Sequence, residues 1–181
     1  MRALVVYESM FGNTALIAEA IADGLARHAD VETAEVGTAP LLLPAEVDLL
    51  VVGGPTHAFG MSRPGTRSNA REQTQAPLVS ARIGIREWLE GIARPRHRVS
   101  SAAFDTRIDK PRFPGSAAAG AAKKLRRLGF RQTMTPESFF VVGGTGPLLP
   151  GEYERAHRWG ELVGSTVTAE TEAARADAPG R

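Results

Sequence analysis

The chain has 181 residues, 43% hydrophobic and 23% charged, with a formal net charge of +2 and no cysteine. This suits one globular domain, with no window near the ~18 uninterrupted apolar residues of a membrane span. The missing thiols exclude disulfides, thiolate nucleophiles and cysteine-held zinc or iron–sulfur centres. His28, His57, His97 and His157 lack metal-ligand spacing, so redox chemistry would need a borrowed organic cofactor. The N-terminus opens directly on a strand-like pattern without the layout of a signal peptide, which predicts a cytoplasmic protein.

Residues 2–7 form an apolar run suited to a parallel strand buried on both faces. Ile17, Ile21 and Leu25 then recur every four residues, predicting a helix over about 14–28, with Asp23 and Arg27 placed to pair on its wet side. Residues 31–36 carry Glu32 and Glu35 and suit an edge strand. "DLLVVGGPTH" reads as a second central strand, and 58–77 as loop. A helix over 83–92 and a softer strand over 98–105 follow. "SAAAGAAKKLRRLGF" is a helix closed by Gly129. Residues 131–135 and 138–142 read as two pieces of one last strand, broken near Pro136. Tyr153, Ala156, Trp159 and Val163 mark one face of a terminal helix. Strands alternating with helices predict a parallel sheet covered on both faces through right-handed crossovers. One domain is expected over 1–168, with a frayed tail over 169–181.

The loop "ESMFGNT" joins the first strand to the first helix and contains no Lys or Arg. Amides at a helix N-terminus attract anions, and Ser9, Asn13 and Thr14 add side-chain donors, while Gly12 lets the backbone close around a group. A nucleoside triphosphate loop needs a lysine in G-x-x-x-x-G-K-[ST], which is missing, as is G-x-G-x-x-G. The loop therefore favours one terminal phosphate over a chain of them.

"VVYESMFGNT" resembles the flavodoxin signature, with Val5, Val6, Tyr7, Ser9, Gly12 and Thr14 in its specified places. The resemblance spans about residues 2–168 and implies a flavodoxin-like three-layer sandwich with a five-stranded parallel sheet of order 2-1-3-4-5. It implies FMN as cofactor, with its phosphate cradled by Ser9, Met10, Phe11, Gly12, Asn13 and Thr14. "PTHAFG" looks like the Pro-Thr-x-x-Gly loop of flavodoxin-like reductases, which places Pro55, Thr56, His57, Ala58, Phe59 and Gly60 beside the flavin ring. Gly53 and Gly54 are read as allowing close approach to that ring. The third loop, "FDTRIDKPRFPGS", departs from carrier flavodoxins in lacking an acidic, Tyr-bearing stretch. It offers Asp105, Thr106, Arg107, Lys110 and Arg112 instead, with Phe104 or Phe113 as an apolar wall. A cation such as Arg107 near the flavin would raise its potential.

"GGTGP" at 143–147 reads first as a glycine turn, with phosphate binding as its functional alternative. Arg63, Arg67 and Arg71 read as a solvated mobile loop that could also cover the ring or receive the phosphate of a nicotinamide donor. Lys123, Lys124, Arg126 and Arg127 read as the wet side of a helix, with docking of an acidic partner as the alternative. The apolar "SFFVV" at a sheet edge needs cover from a helix or a second chain, which leaves a homo-oligomer open. No pattern favours nucleic acid, a membrane or hydrolysis. Three functions follow: an FMN electron carrier serving a redox partner protein; an NAD(P)H-dependent reductase of quinones or similar acceptors; or a degenerate fold without flavin that acts through protein contacts.

Overall fold

The computed structural model describes residues 1–109 and 114–176. β1 (Arg2–Tyr7), β3 (Leu49–His57) and β5 (Ser100–Ile108) form the middle of a sheet, with β2 (Asp30–Glu35) at one edge beside β1. All pair in parallel. At the other edge β6 (Arg131–Gln132) pairs with the start of β5 and β7 (Glu137–Val141) with its end. These two pieces share one sheet position, as the interrupted pattern predicts, so the parallel positions run β2-β1-β3-β5-β6/β7, which is the expected 2-1-3-4-5 counted by position. One addition is antiparallel: β4 (Gly60–Met61) folds back on β3.

Period-two alternation divides the core. Ala3, Val5, Leu49 and Val51 pack under α1 (Asn13–Leu25) and α5 (Glu152–Ala176) with Ile17, Ile21, Trp159 and Val163. Leu4, Val6, Leu50 and Val52 pack under α3 (Ile85–Gly91) and α4 (Ala117–Leu128) with Trp88, Leu89, Ala118 and Leu125. Strands buried on both faces must be apolar throughout, which is why β1 and β3 stand out in the sequence. No helix among the described residues is long and apolar enough to cross a membrane.

Several sequence expectations change. The stretch expected as loop over 58–77 contains β4 and α2 (Pro64–Arg71), because Pro64 and Gly65 sit in the first turn of the helix, where Pro is tolerated. Arg67 is buried rather than solvated. α5 continues to Ala176, past the expected start of fraying; residues 177–181 lie outside the described residues. Asp23 and Arg27 do not pair with each other: Arg27 meets Glu161 at 2.7 Å, and Asp23 accepts from the Tyr153 hydroxyl at 3.2 Å. Tyr153 accordingly sits half out of the apolar face that Ala156, Trp159 and Val163 bury.

The outer edge of β7 is covered from within the chain. Leu149 N–H donates to Phe140 O at 2.9 Å, and Phe140 N–H donates to Glu152 Oε2 at 2.7 Å. The Arg155 guanidinium lies 4.4 Å from the Phe139 ring centroid and pairs with Glu137 and Glu152.

Candidate cofactor site

β1, β3 and β5 end on the same side of the sheet, and a cleft of about 290 Å³ opens beyond them. In an open parallel sheet this is where ligands collect. Ser9, Met10, Phe11, Asn13 and Thr14 form one wall, Pro55 to Ala58 a second, and Thr106 to Ile108 a third. α2 closes the fourth side with Thr66, Asn69, Ala70 and the following Gln73. Of the predicted residues, Gly12, Phe59, Gly60 and Asp105 do not line it.

The first loop is fixed by its neighbours. Glu8 N–H donates to Gly53 O at 2.9 Å, and Ser9 N–H to Ser80 Oγ at 3.0 Å. Ser80 and Val79 amides return to Ser9 O and Met10 O at 2.7 and 3.1 Å. Gly12 has φ +94°, a left-handed value that turns the chain into α1. Buried Ser9 accepts at Oγ from the amides of Gly12 (3.1 Å) and Ala15 (3.3 Å), so the hydroxyl's own proton is still to be donated. Thr14 and Thr106 hydroxyls meet at 2.7 Å; one donates to the other, and the acceptor keeps a proton of its own. Among the described residues no hydrogen bond engages the amides of Met10, Phe11, Asn13 or Thr14. Arg107 is the one charged side chain among the described residues lining the cleft. Donors gathered at a helix N-terminus without a carboxylate suit a phosphate ester. The residues present therefore fit the group that the resemblance implies.

Asn13 is already partly committed. Its Nδ2 donates to Thr145 O at 3.0 Å, and a Cβ at Gly146 would lie 2.5 Å from its amide. The 143–147 turn thus clamps Asn13, and Gly144 reaches the cleft wall.

The second loop is a tight hairpin. Thr56 opposes Met61 and His57 opposes Gly60, leaving Ala58 and Phe59 at the tip with φ of +41° and +75°. Two positive φ values are the mark of a type I′ turn, which non-glycine residues adopt only under strain. The tip rests on Gly115, where a Cβ would lie 1.8 Å from Phe59 O. His57 is half-buried; burial pushes its pKa down, the Arg67 charge adds to this, and the Thr66 backbone opposes it.

The third loop begins later than expected. β5 continues to Ile108 because β7 pairs with it over residues 104–108, so Asp105, Thr106 and Arg107 belong to a strand. Their side chains therefore alternate. Asp105 turns away and is fully buried; its Oδ2 accepts from Thr56 Oγ1 (2.9 Å), Ser116 Oγ (2.6 Å) and Ala118 N (3.0 Å). It braces the start of α4 against the hairpin. Arg107 Nη1 donates to Gly115 O at 2.8 Å. Phe104 is no cofactor wall: it lies in the core, edge-on to Phe139 and Trp159 at centroid distances of 6.2 and 6.4 Å. Gly53 serves that ring, since a Cβ there would meet it at 2.0 Å. Lys110, Arg112 and Phe113 lie outside the described residues.

A buried polar cluster beneath the cleft has no sequence signal. Glu8 is buried; its Oε2 accepts from Ile85 N at 2.8 Å, while Oε1 has no partner among the described residues. Burial raises its pKa, against the opposing pull of Ser62, Ile85 and Arg67. Arg67 donates to Glu87 at 3.2 Å and to Ser62 Oγ at 2.9 Å, pinning α2 to α3 and to the hairpin. Burial pushes Glu87 up, but its bonds from Arg67 and Gly84 outweigh this and hold it below the usual value.

No family model and no curated protein matches the sequence. Solved structures do match its shape. A flavodoxin from the domain Archaea superposes with a TM-score of 0.62 at 21% identity, over 93% of this chain and 99% of that one. A Streptococcus pneumoniae flavodoxin gives 0.63 at 18%, over 94% and 99%. The chain has the flavodoxin-like fold. A flavodoxin, WrbA-like protein from Agrobacterium tumefaciens is also similar, with a TM-score of 0.54 at 16% identity over 93% and 98%. These likenesses establish the flavodoxin-like architecture, and the chemistry of its cleft rests on the residues named above.

Proposed function

We propose that this chain is an FMN-binding electron-transfer protein of the cytoplasm, working with a redox partner protein. The strongest support is the coincidence, at the start of α1, of unengaged amides and undonated hydroxyl protons with a cleft that no carboxylate lines among the described residues. Ser9, Thr14 and the amides of Phe11 and Asn13 would hold the phosphate. Each hydrogen bond to a charged group contributes about 1.5–3 kcal/mol, so four bind a phosphate ester without a neighbouring cation. Pro55, Thr56, His57 and Ala58 would border the ring from the hairpin side, and Arg107 would set a positive charge against it. Bound FMN supplies the redox chemistry, taking up one or two electrons. The protein's part is orientation, shielding from water and electrostatics.

A second reading, an NAD(P)H-dependent reductase of quinones or similar acceptors, draws support from α2. That helix walls the cleft with neutral polar residues and carries arginines on its far side. Titration of the purified chain with FMN, followed by NADPH or NADH with a quinone, tests both. FMN binding without turnover identifies a carrier, and turnover identifies the reductase. No FMN binding contradicts both and leaves a fold that acts through protein contacts.

A further inference from the structure

α2 has two working faces. Thr66, Asn69 and Ala70 face the cofactor cleft, while Pro64, Arg67, Ser68 and Arg71 line a separate depression of about 190 Å³. Leu78, Ala81 and Arg82 complete it, and no acidic residue lines it among the described residues. Arg67 is already neutralised by Glu87. Arg71 and Arg82 make no ion pair and no side-chain hydrogen bond among the described residues. Two uncommitted guanidinium groups thus share a small polar hollow, one helix thickness, on the order of 10 Å, from the cleft.

We infer that Arg71 and Arg82 form a binding site for the 2′-phosphate of a nucleotide. A phosphate monoester carries about −1.5 to −2 charges near neutral pH, which two guanidinium forks match in charge and in paired-donor geometry. Ser68 adds little, because its hydroxyl already donates to Pro64 O at 3.2 Å. The chemistry that places such a group here while a second part of the same molecule enters the cofactor cleft is that of a nicotinamide dinucleotide bearing a 2′-phosphate. The inference rests on the reductase reading and deepens it, assigning the donor as NADPH rather than NADH.

Calorimetry on the full chain with adenosine 2′,5′-bisphosphate, AMP and inorganic phosphate, with FMN present to occupy the start of α1, tests the site without any turnover. The bisphosphate is expected to bind at least ten-fold more tightly than AMP, and the double variant Arg71→Gln/Arg82→Gln to lose that preference at unchanged thermal stability. The single variants should each lose part of it. Equal binding of the two nucleotides by the wild type overturns the inference, and so does a preference that survives in the double variant. Binding of inorganic phosphate without discrimination between the nucleotides overturns the donor assignment in the same way. An FMN titration of the same preparation separates the two levels. Normal FMN binding with no nucleotide preference sinks this site alone, whereas absent FMN binding sinks the flavin reading beneath it.

Discussion

The hydroxyls of Thr14 and Thr106 lie 2.7 Å apart, joining the first turn of α1 to the last third of β5. Both side chains are buried, at 2% and 5% exposure, so the pair forms a fixed floor where two walls of the cleft meet. Replacing Thr14 with Val keeps the shape and removes one hydroxyl, leaving Thr106 without that partner. The expected loss in stability is about 1 kcal/mol, read from urea unfolding. A variant as stable as the wild type would show that the bond contributes nothing net.

Gly53 and Gly54 are adjacent in β3 yet differ in what surrounds them. A Cβ at Gly53 would lie 2.0 Å from the Phe104 ring, but at Gly54 it would make ordinary contact with Ile85 at 3.5 Å. Gly53→Ala is expected to destabilise by about 1–3 kcal/mol through overpacking. Gly54→Ala is expected to change stability by less than about 1 kcal/mol. Thermal melts of the two variants side by side distinguish them, and equal effects would contradict the close packing of Phe104 against β3.

Glu8 makes stability depend on pH. Burial raises its folded pKa above the ordinary value of 4.5. Its contribution is therefore fully present below about pH 4.5 and is lost as the pH rises through the folded value, because the folded state then holds an ionised, buried carboxylate. Glu8→Gln keeps an oxygen for Ile85 N–H and cannot ionise. The variant should gain on the wild type as the pH climbs from about 4 to about 8, measured by urea unfolding at several pH values. A stability difference that stays constant over this range would show that Glu8 does not titrate as described.

Arg107 lines the cleft from the strand side, anchored at 2.8 Å to Gly115 O. In FMN-loaded protein, Arg107→Ala is expected to lower the two-electron potential by roughly 30 mV, equivalent to about 1.4 kcal/mol. Potentiometric titration with indicator dyes measures it. Unchanged potentials would place the guanidinium too far from the cofactor to matter.

The sheet was legible in the sequence because β1 and β3 are apolar on both faces, and because Ile17, Ile21 and Leu25 repeat at helical spacing. The first wall of the cleft was legible for a related reason, since a strand, a small polar loop and a helix follow one another without a break. The hairpin was hidden. A type I′ tip is normally announced by Asn-Gly or Gly-Gly, whereas Ala58 and Phe59 hold the positive φ values here. α2 was hidden because it is anchored through Arg67, whose pairing with Glu87 across the fold leaves no mark at helical spacing. Thr106 and Arg107 read as loop because β7, the strand that extends β5 to Ile108, lies well further along the chain. Ser80, which holds Ser9 in place, has no local signature at all.

The most direct measurement compares FMN with riboflavin, two ligands that differ only in the phosphate, in the wild type and in Ser9→Ala/Thr14→Ala. The wild type should bind FMN far more tightly than riboflavin, by calorimetry or by quenching of flavin fluorescence. The double variant should lose at least ten-fold in FMN affinity while its riboflavin affinity stays within two-fold. Equal losses for both ligands, or none for FMN, would contradict the placement of the phosphate at the start of α1.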